Sequence, residues 1–131
     1  MIVIDASVLA NVVGDDGSDG QRARQEFRNA GDVAAPDLVD VETVAVLRKR
    51  WLAGSITDQR FAAAVDDLGQ LDLDRYPTLP FMQRAYQLRA NVTAYDSAYV
   101  ALAETLGCDL LTGDRRLASA TGPCCTIRVL R

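Results

Sequence analysis

Histidine is absent from this sequence of 131 residues, and lysine occurs once, at Lys49. The first absence removes Ser-His and Cys-His nucleophilic catalysis and all histidine-based acid–base chemistry. Neither a GxxxxGKS/T loop nor a GxGxxG fingerprint occurs, so nucleotide cradles of those kinds are not expected. Cysteine is scarce. Cys108, Cys124 and Cys125 form an odd set with no CxxC or Cys/His spacing, so zinc is not indicated and the three are expected to be reduced, mostly packing residues. No apolar run approaches the roughly 20 residues of a membrane-spanning helix. Asp5 interrupts the apolar start and no basic region precedes it, which is unlike a signal peptide. A cytoplasmic location without a membrane partner is the expectation. The chemistry that remains open must use Asp, Glu, Ser, Thr, Tyr, Cys, Arg or a metal.

What the sequence does contain is 49% apolar and 24% charged residues, the balance of one globular domain over residues 1–131. Its net charge of −4 argues against a broad affinity for nucleic acid. Bound divalent ions would reverse the field locally if several of the acids formed a metal site.

Short apolar runs alternate with helical patterns. Strands are expected at residues 2–4, 33–35 (stopped by Pro36), 71–73, 109–111 and 126–129. Helices are expected at 7–13, 21–29, 57–68, 81–89, 95–106 and 114–119, with a further helix capped by Asp37 and running to Leu52. The Gly- and Asp-rich stretch 14–20 reads as a loop. This alternation predicts an α/β fold, a parallel sheet with helices on both faces.

Four acids stand out by position. Asp5 follows the first strand, and Asp114 follows the strand at 109–111 after a Thr112-Gly113 turn. Ligands of open parallel sheets bind where the strand order reverses, at the carboxyl ends of the strands. If these two strands are neighbours, both acids overhang that crevice, although Asp114 could equally be a helix N-cap. Glu42 has Leu38, Val39, Ala45 and Val46 one turn away on either side, an apolar setting that is costly for an unpaired carboxylate. Asp40 reads as the more solvated side of that helix. Asp96 has Tyr99 and Val100 one turn ahead, and its alternative is a first-turn acid that favours the helix dipole. Converging carboxylates repel unless a cation neutralises them. Hard oxygen ligands without His or Cys select Mg²⁺ or Mn²⁺ over zinc. Such a site suits phosphodiester hydrolysis.

The stretches Ile2-Val3-Ile4-Asp5-Ala6-Ser7, Pro36 to Glu42, Thr93-Ala94-Tyr95-Asp96-Ser97-Ala98-Tyr99-Val100-Ala101-Leu102-Ala103-Glu104 and Leu110-Leu111-Thr112-Gly113-Asp114-Arg115-Arg116-Leu117 together resemble a PIN domain. Length and motif order are similar to the VapC toxins of bacterial toxin–antitoxin pairs. The resemblance implies a three-layer fold with sheet order 3-2-1-4-5 and a metal-dependent endoribonuclease that arrests growth. It also implies inhibition by a cognate VapB antitoxin, a homodimer, and contact with DNA only through the antitoxin. By position, Asp5 and Asp96 match the family's metal ligands, with Glu42 and Asp114 completing the set. Ser7 and Thr112 match its supporting hydroxyls, each with an ordinary cap or turn role as the alternative. Arg115 is a candidate phosphate contact, its alternative being a solvated helix start. Arg48, Lys49 and Arg50 form a basic cluster beside Trp51, which could stack on a base but reads better as core or interface packing.

Two other functions stay open at this point. One is a binding partner that keeps the fold without catalysis. The other is a phosphate-handling α/β enzyme of the receiver or phosphatase type, which usually wants a lysine near its acids, whereas Lys49 falls in a basic helix segment.

Overall fold

Five short parallel strands form the sheet: β1 (Ile2–Ile4), β2 (Val33–Pro36), β3 (Asp74–Tyr76), β4 (Asp109–Thr112) and β5 (Ile127–Val129). The computed structural model describes residues 1–130. The strand order is β3-β2-β1-β4-β5, as the resemblance implied. Register is set by Val3 opposite Ala34 on one side and Leu110 on the other. The central strands are buried throughout, which is why they read as continuous apolar runs without alternation.

Seven helices join the strands: α1 (Ala6–Gly14), α2 (Ser18–Asn29), α3 (Val39–Leu52), α4 (Asp58–Gln70), α5 (Met82–Leu88), α6 (Ala94–Leu106) and α7 (Arg115–Ala118). α1 packs with α2, α3 and α4, while α6 packs with α5 and lies against β1, β2 and β4. The two groups cover the two faces of the sheet, and one apolar cluster, centred on Val3, Ile4, Leu9, Leu102, Leu110 and Leu111, runs between them. No helix among the described residues is long and apolar enough to cross a membrane.

Several boundaries differ from the sequence expectation, for local reasons. The 14–20 loop shrinks to a turn at 15–17, because the Asp15 carboxylate accepts from the Gly17 and Gly20 amides at 2.7 and 3.2 Å and lets α2 start at Ser18. A Cβ on Gly20 would lie 1.8 Å from the Asp15 carbonyl oxygen, so only glycine fits there. The third strand falls at Asp74–Tyr76 and not at 71–73. Leu73 is buried in the core and Leu71 packs against it, so these apolar residues seal the end of α4, while the polar Asp-Arg-Tyr stretch supplies the edge strand.

Asp37 does not cap α3. Leu38 takes that position without a side-chain bond, and the Asp37 carboxylate instead accepts from the Thr78 amide and hydroxyl at 3.2 and 2.6 Å. Asp40 is not merely solvated either, since it receives two bonds from Arg75, at 2.7 and 3.0 Å, that tie α3 to β3.

Candidate active site

The sheet order reverses between β1 and β4, and the acids gather there. Asp5 leaves the end of β1 with its amide bonded to the Leu111 carbonyl at 3.2 Å and its carboxylate capping α1. Asp5 is 6% exposed and its carboxylate is fully engaged. Oδ1 accepts from the Ser7 hydroxyl at 2.6 Å and the Val8 amide at 3.2 Å, and Oδ2 accepts from the Thr112 hydroxyl at 2.5 Å. The two hydroxyls are oriented in turn: Ser7 Oγ accepts from the Gly113 amide and Thr112 Oγ1 from the Asp114 amide, both at 3.0 Å. A Cβ on Gly113 would press on Ser7 Oγ at 3.1 Å, so the turn depends on that residue's bareness.

Two helices bring the remaining groups. On α3, Glu42 faces the crevice with Ala45, Val46 and Lys49, a one-sided i, i+3, i+4, i+7 stripe. On α6, Thr93 caps the helix by accepting from the Asp96 amide at 3.1 Å, which sets Asp96 in the first turn, and Tyr99 follows one turn later. The Tyr99 hydroxyl donates to Glu42 Oε1 at 2.7 Å and joins the two helices across the site. Asp5, Ser7, Glu42, Asp96, Tyr99 and Asp114 line one cavity of about 490 Å³, together with Arg48 and Lys49.

Electrostatics mark this cavity. Burial raises the carboxyl of Asp5 above the usual range, against the pull of its hydrogen bonds from Ser7 and Thr112. Burial also raises Glu42, opposed by the Tyr99 hydrogen bond and reinforced by the charges of Asp96 and Asp5. Asp96 rises through desolvation and the charges of Asp5 and Asp114. Burial and the neighbouring carboxylates push the Tyr99 phenol far up, so it stays protonated and donating. Among the described residues, the ion pairs of the protein bypass Asp5, Glu42 and Asp96.

The crevice thus unites the four acids singled out in the sequence with the two supporting hydroxyls. Asp114 lines the cavity and is also the N-cap of α7, accepting from the Arg116 amide at 2.8 Å. Ser7 caps no helix; Asp5 does. Arg115 stands exposed on α7 and is not part of the cavity wall. The basic cluster divides. Arg48 and Lys49 reach the crevice, whereas Arg50 turns away to bond Asn11 Oδ1 at 2.7 Å. Lys49 therefore lies nearer the acids than its place in the sequence indicated. Trp51 packs beside Phe61, with ring centroids 6.3 Å apart, and its indole N–H donates to Asp58.

Tyr99 is the site residue that sequence reasoning passed over. Its signal was there: a tyrosine on an apolar helix face needs a partner for its hydroxyl.

Residues 2–123 match the family described as the PIN domain. The chain belongs to the PIN-domain family. Relatives of this PIN domain include Ribonuclease VapC1 of Mycobacterium tuberculosis, 38% identical over 130 residues that cover 98% of this chain and 97% of the relative. Ribonuclease VapC12 of the same organism is 41% identical over 123 residues, 93% of each chain. Among solved structures, VapBC2 from Rickettsia felis, bound to a DNA fragment from its promoter, superposes with a TM-score of 0.67 over 100% of both chains. At 13% identity that likeness concerns the PIN fold alone.

Proposed function

We propose that this protein is a metal-dependent endoribonuclease, the toxin of a VapBC-type toxin–antitoxin pair, with Asp5, Asp96, Glu42 and Asp114 as its active site. The observation that carries this reading is the meeting of four carboxylates from β1, α3, α6 and the β4–α7 turn in one cavity, three of them with no counter-ion among the described residues. The relatives named ribonucleases supply the reaction class.

A hard divalent cation fits this donor set. All candidate donors are oxygens, and beyond desolvation the charges of Asp96 and Asp5 raise Glu42 and those of Asp5 and Asp114 raise Asp96, strain that a cation relieves. Among the described residues no three His, Cys, Asp or Glu side chains form a ready-made ion cage. Mg²⁺, or Mn²⁺ in its place, needs no such cage, because Mg²⁺ commonly binds through one or two carboxylates and completes its shell with water and substrate phosphate. Asp5 and Asp96 would hold it, with Glu42 and Asp114 alongside. When bound, the ion would supply an activated water and charge neutralisation at the scissile phosphate.

The chain's own residues do the rest. Ser7 and Thr112 keep Asp5 in one rotamer, and Tyr99 keeps Glu42 from swinging out. Arg48 and Lys49 offer the crevice's cationic edge to the RNA backbone, and exposed Arg115 is a further candidate contact. The nearness of Lys49 also suits the phosphate-handling alternative, in which Asp5 would attack phosphorus. Asp5 is badly placed for that, being buried with both oxygens already accepting hydrogen bonds.

A VapB-type antitoxin is the expected partner, and a guanidinium from it would compete for the carboxylates. DNA would be reached only through that partner, and the toxin would act as a homodimer in the cytoplasm. Cleavage of RNA by the purified protein should vanish with excess EDTA and return with Mg²⁺ or Mn²⁺ but poorly with Zn²⁺. Undiminished cleavage in chelator would overturn the proposal.

A further inference from the structure

The three cysteines gather at the opposite end of the sheet. Cys108 precedes β4, and Cys124 and Cys125 precede β5. All three line a second cavity of about 260 Å³ with Glu104, Gly107 and Asp109. Cys108 lies one residue before β4 and Cys125 two before β5, and continuing the Leu110–Ile127 register two residues past the strand ends would bring them level with each other. The pairing already extends toward them, since the Leu110 amide bonds the Thr126 carbonyl at 2.9 Å. Paired residues on adjacent strands lie about 4.8 Å apart, inside the Cα separation that a disulfide spans, and equivalent positions share a face.

The thiols are unequal. Cys124 is exposed, while Cys108 and Cys125 are half-buried against the core. Cys124 is also the one held in place: its amide donates to Glu104 Oε2 at 2.7 Å, and Arg84 Nη2 donates to its sulfur at 3.7 Å. Arg84 is itself fixed by two bonds to the Glu104 carboxylate, at 2.9 and 3.0 Å. Burial pushes the Cys125 thiol up to about 11 and raises Cys108 as well, so both rest protonated and neither is the first group to meet the oxidant.

We propose that this end of the sheet is an oxidation site, at which Cys124 accepts oxygen from a hydroperoxide and the oxidation ends as a reversible Cys108–Cys125 disulfide. In the first step the Cys124 sulfur takes the terminal peroxide oxygen. An S–O bond forms, the O–O bond breaks, and the leaving oxygen takes the Cys124 thiol proton and departs as water or an alcohol. In the second, the Cys108 sulfur attacks the resulting sulfenic acid; the S–S bond forms, the S–O bond breaks, and water leaves with the Cys108 proton. Cys125 then attacks the Cys108 sulfur, its proton passing to Cys124, which is regenerated as a thiol. The adjacent pair Cys124 and Cys125 is a poor end point, because a bridge between neighbouring residues strains the backbone.

The new bond would close residues 109–124, the loop that carries β4 and α7, and pin it from the end remote from the carboxylates. Thr112 lies four residues along β4, roughly 13 Å from Cys108 at strand spacing. Oxidation should therefore stiffen the fold and leave the crevice in place.

The test is titration of the full chain with hydrogen peroxide, followed by peptide mapping without reductant. A Cys108–Cys125 bridge within one chain is expected, reversed by dithiothreitol, with a melting temperature raised by on the order of 5 °C. Cys124→Ser should form the same bridge at least ten-fold more slowly, and Cys108→Ser should leave a sulfenic acid at residue 124 that dimedone labels. Oxidised wild-type protein whose Cys108 and Cys125 both still alkylate, or whose bridges all link separate chains, would overturn the proposal.

Discussion

Carboxylates live under two opposite rules in this molecule. Along its flanks they are paired: Asp16 bonds Arg60, Asp40 bonds Arg75 and Glu104 bonds Arg84. The arginines hold Asp16 and Glu104 below the usual carboxylate range. In the crevice, Asp5, Glu42 and Asp96 are raised by burial, and Glu42 and Asp96 further by like charge. Residue type is the same in both regions. What differs is whether the fold pairs each carboxylate with a cationic side chain.

The strongest way to break the comparison is to neutralise the crevice. Under the proposed function, Asp5→Asn or Asp96→Asn should lower RNA cleavage by about a thousand-fold or more, because residues that act as a unit are each needed in full. Full activity of either purified variant in a gel-based RNA assay would remove the site assignment.

Next in size is a paired acid. Glu104→Gln should destabilise the protein by about 1–3 kcal/mol in urea melts, because two charge-assisted bonds to Arg84 are lost. Its carboxyl is lowered from 4.5 in the folded state, so the stabilisation is complete above that value and fades as pH falls through the lower folded one. The deficit of the variant should therefore shrink in acid.

Asp96→Asn should do the reverse. Its carboxyl is raised above 3.8, so the folded protein loses stability as pH climbs from that value through the higher folded one. In EDTA at neutral pH the variant should melt higher than wild type, by up to about 1 kcal/mol, and Mn²⁺ should narrow the gap. A clearly less stable variant would place Asp96 with the scaffold acids. The smallest effect is expected for Asp40→Asn, which should cleave RNA at the wild-type rate while weakening the α3–β3 contact.

Much of this contrast was visible in the sequence before any coordinates. The central strands, the helix at 95–106 and the position of the four acids could be read because burial on both faces leaves unbroken apolar runs, and an acid just beyond such a run has few structural uses. The edge strand could not, because β3 is polar and takes its register from β2, while the apolar residues before it serve the core. Asp37 and Asp40 misled for a related reason. Their partners, Thr78 and Arg75, lie in distant parts of the chain and no local pattern announces them. Glu42 looked anomalous on its apolar face, and the anomaly was real; what resolves it is Tyr99.

The bond from Thr112 to Asp5 spans almost the whole chain, and it bears on how such a protein can be made. During translation Asp5 emerges first, yet β4 and the turn carrying Asp114 come more than a hundred residues later. Until they arrive, β1 lacks one of its two neighbours and the Asp5 carboxylate lacks one of the two hydroxyls that hold it. A chain that stops short of β4 would therefore lack part of the crevice. The wide separation of its parts along the sequence makes the crevice a product of the closed sheet and not of any one segment.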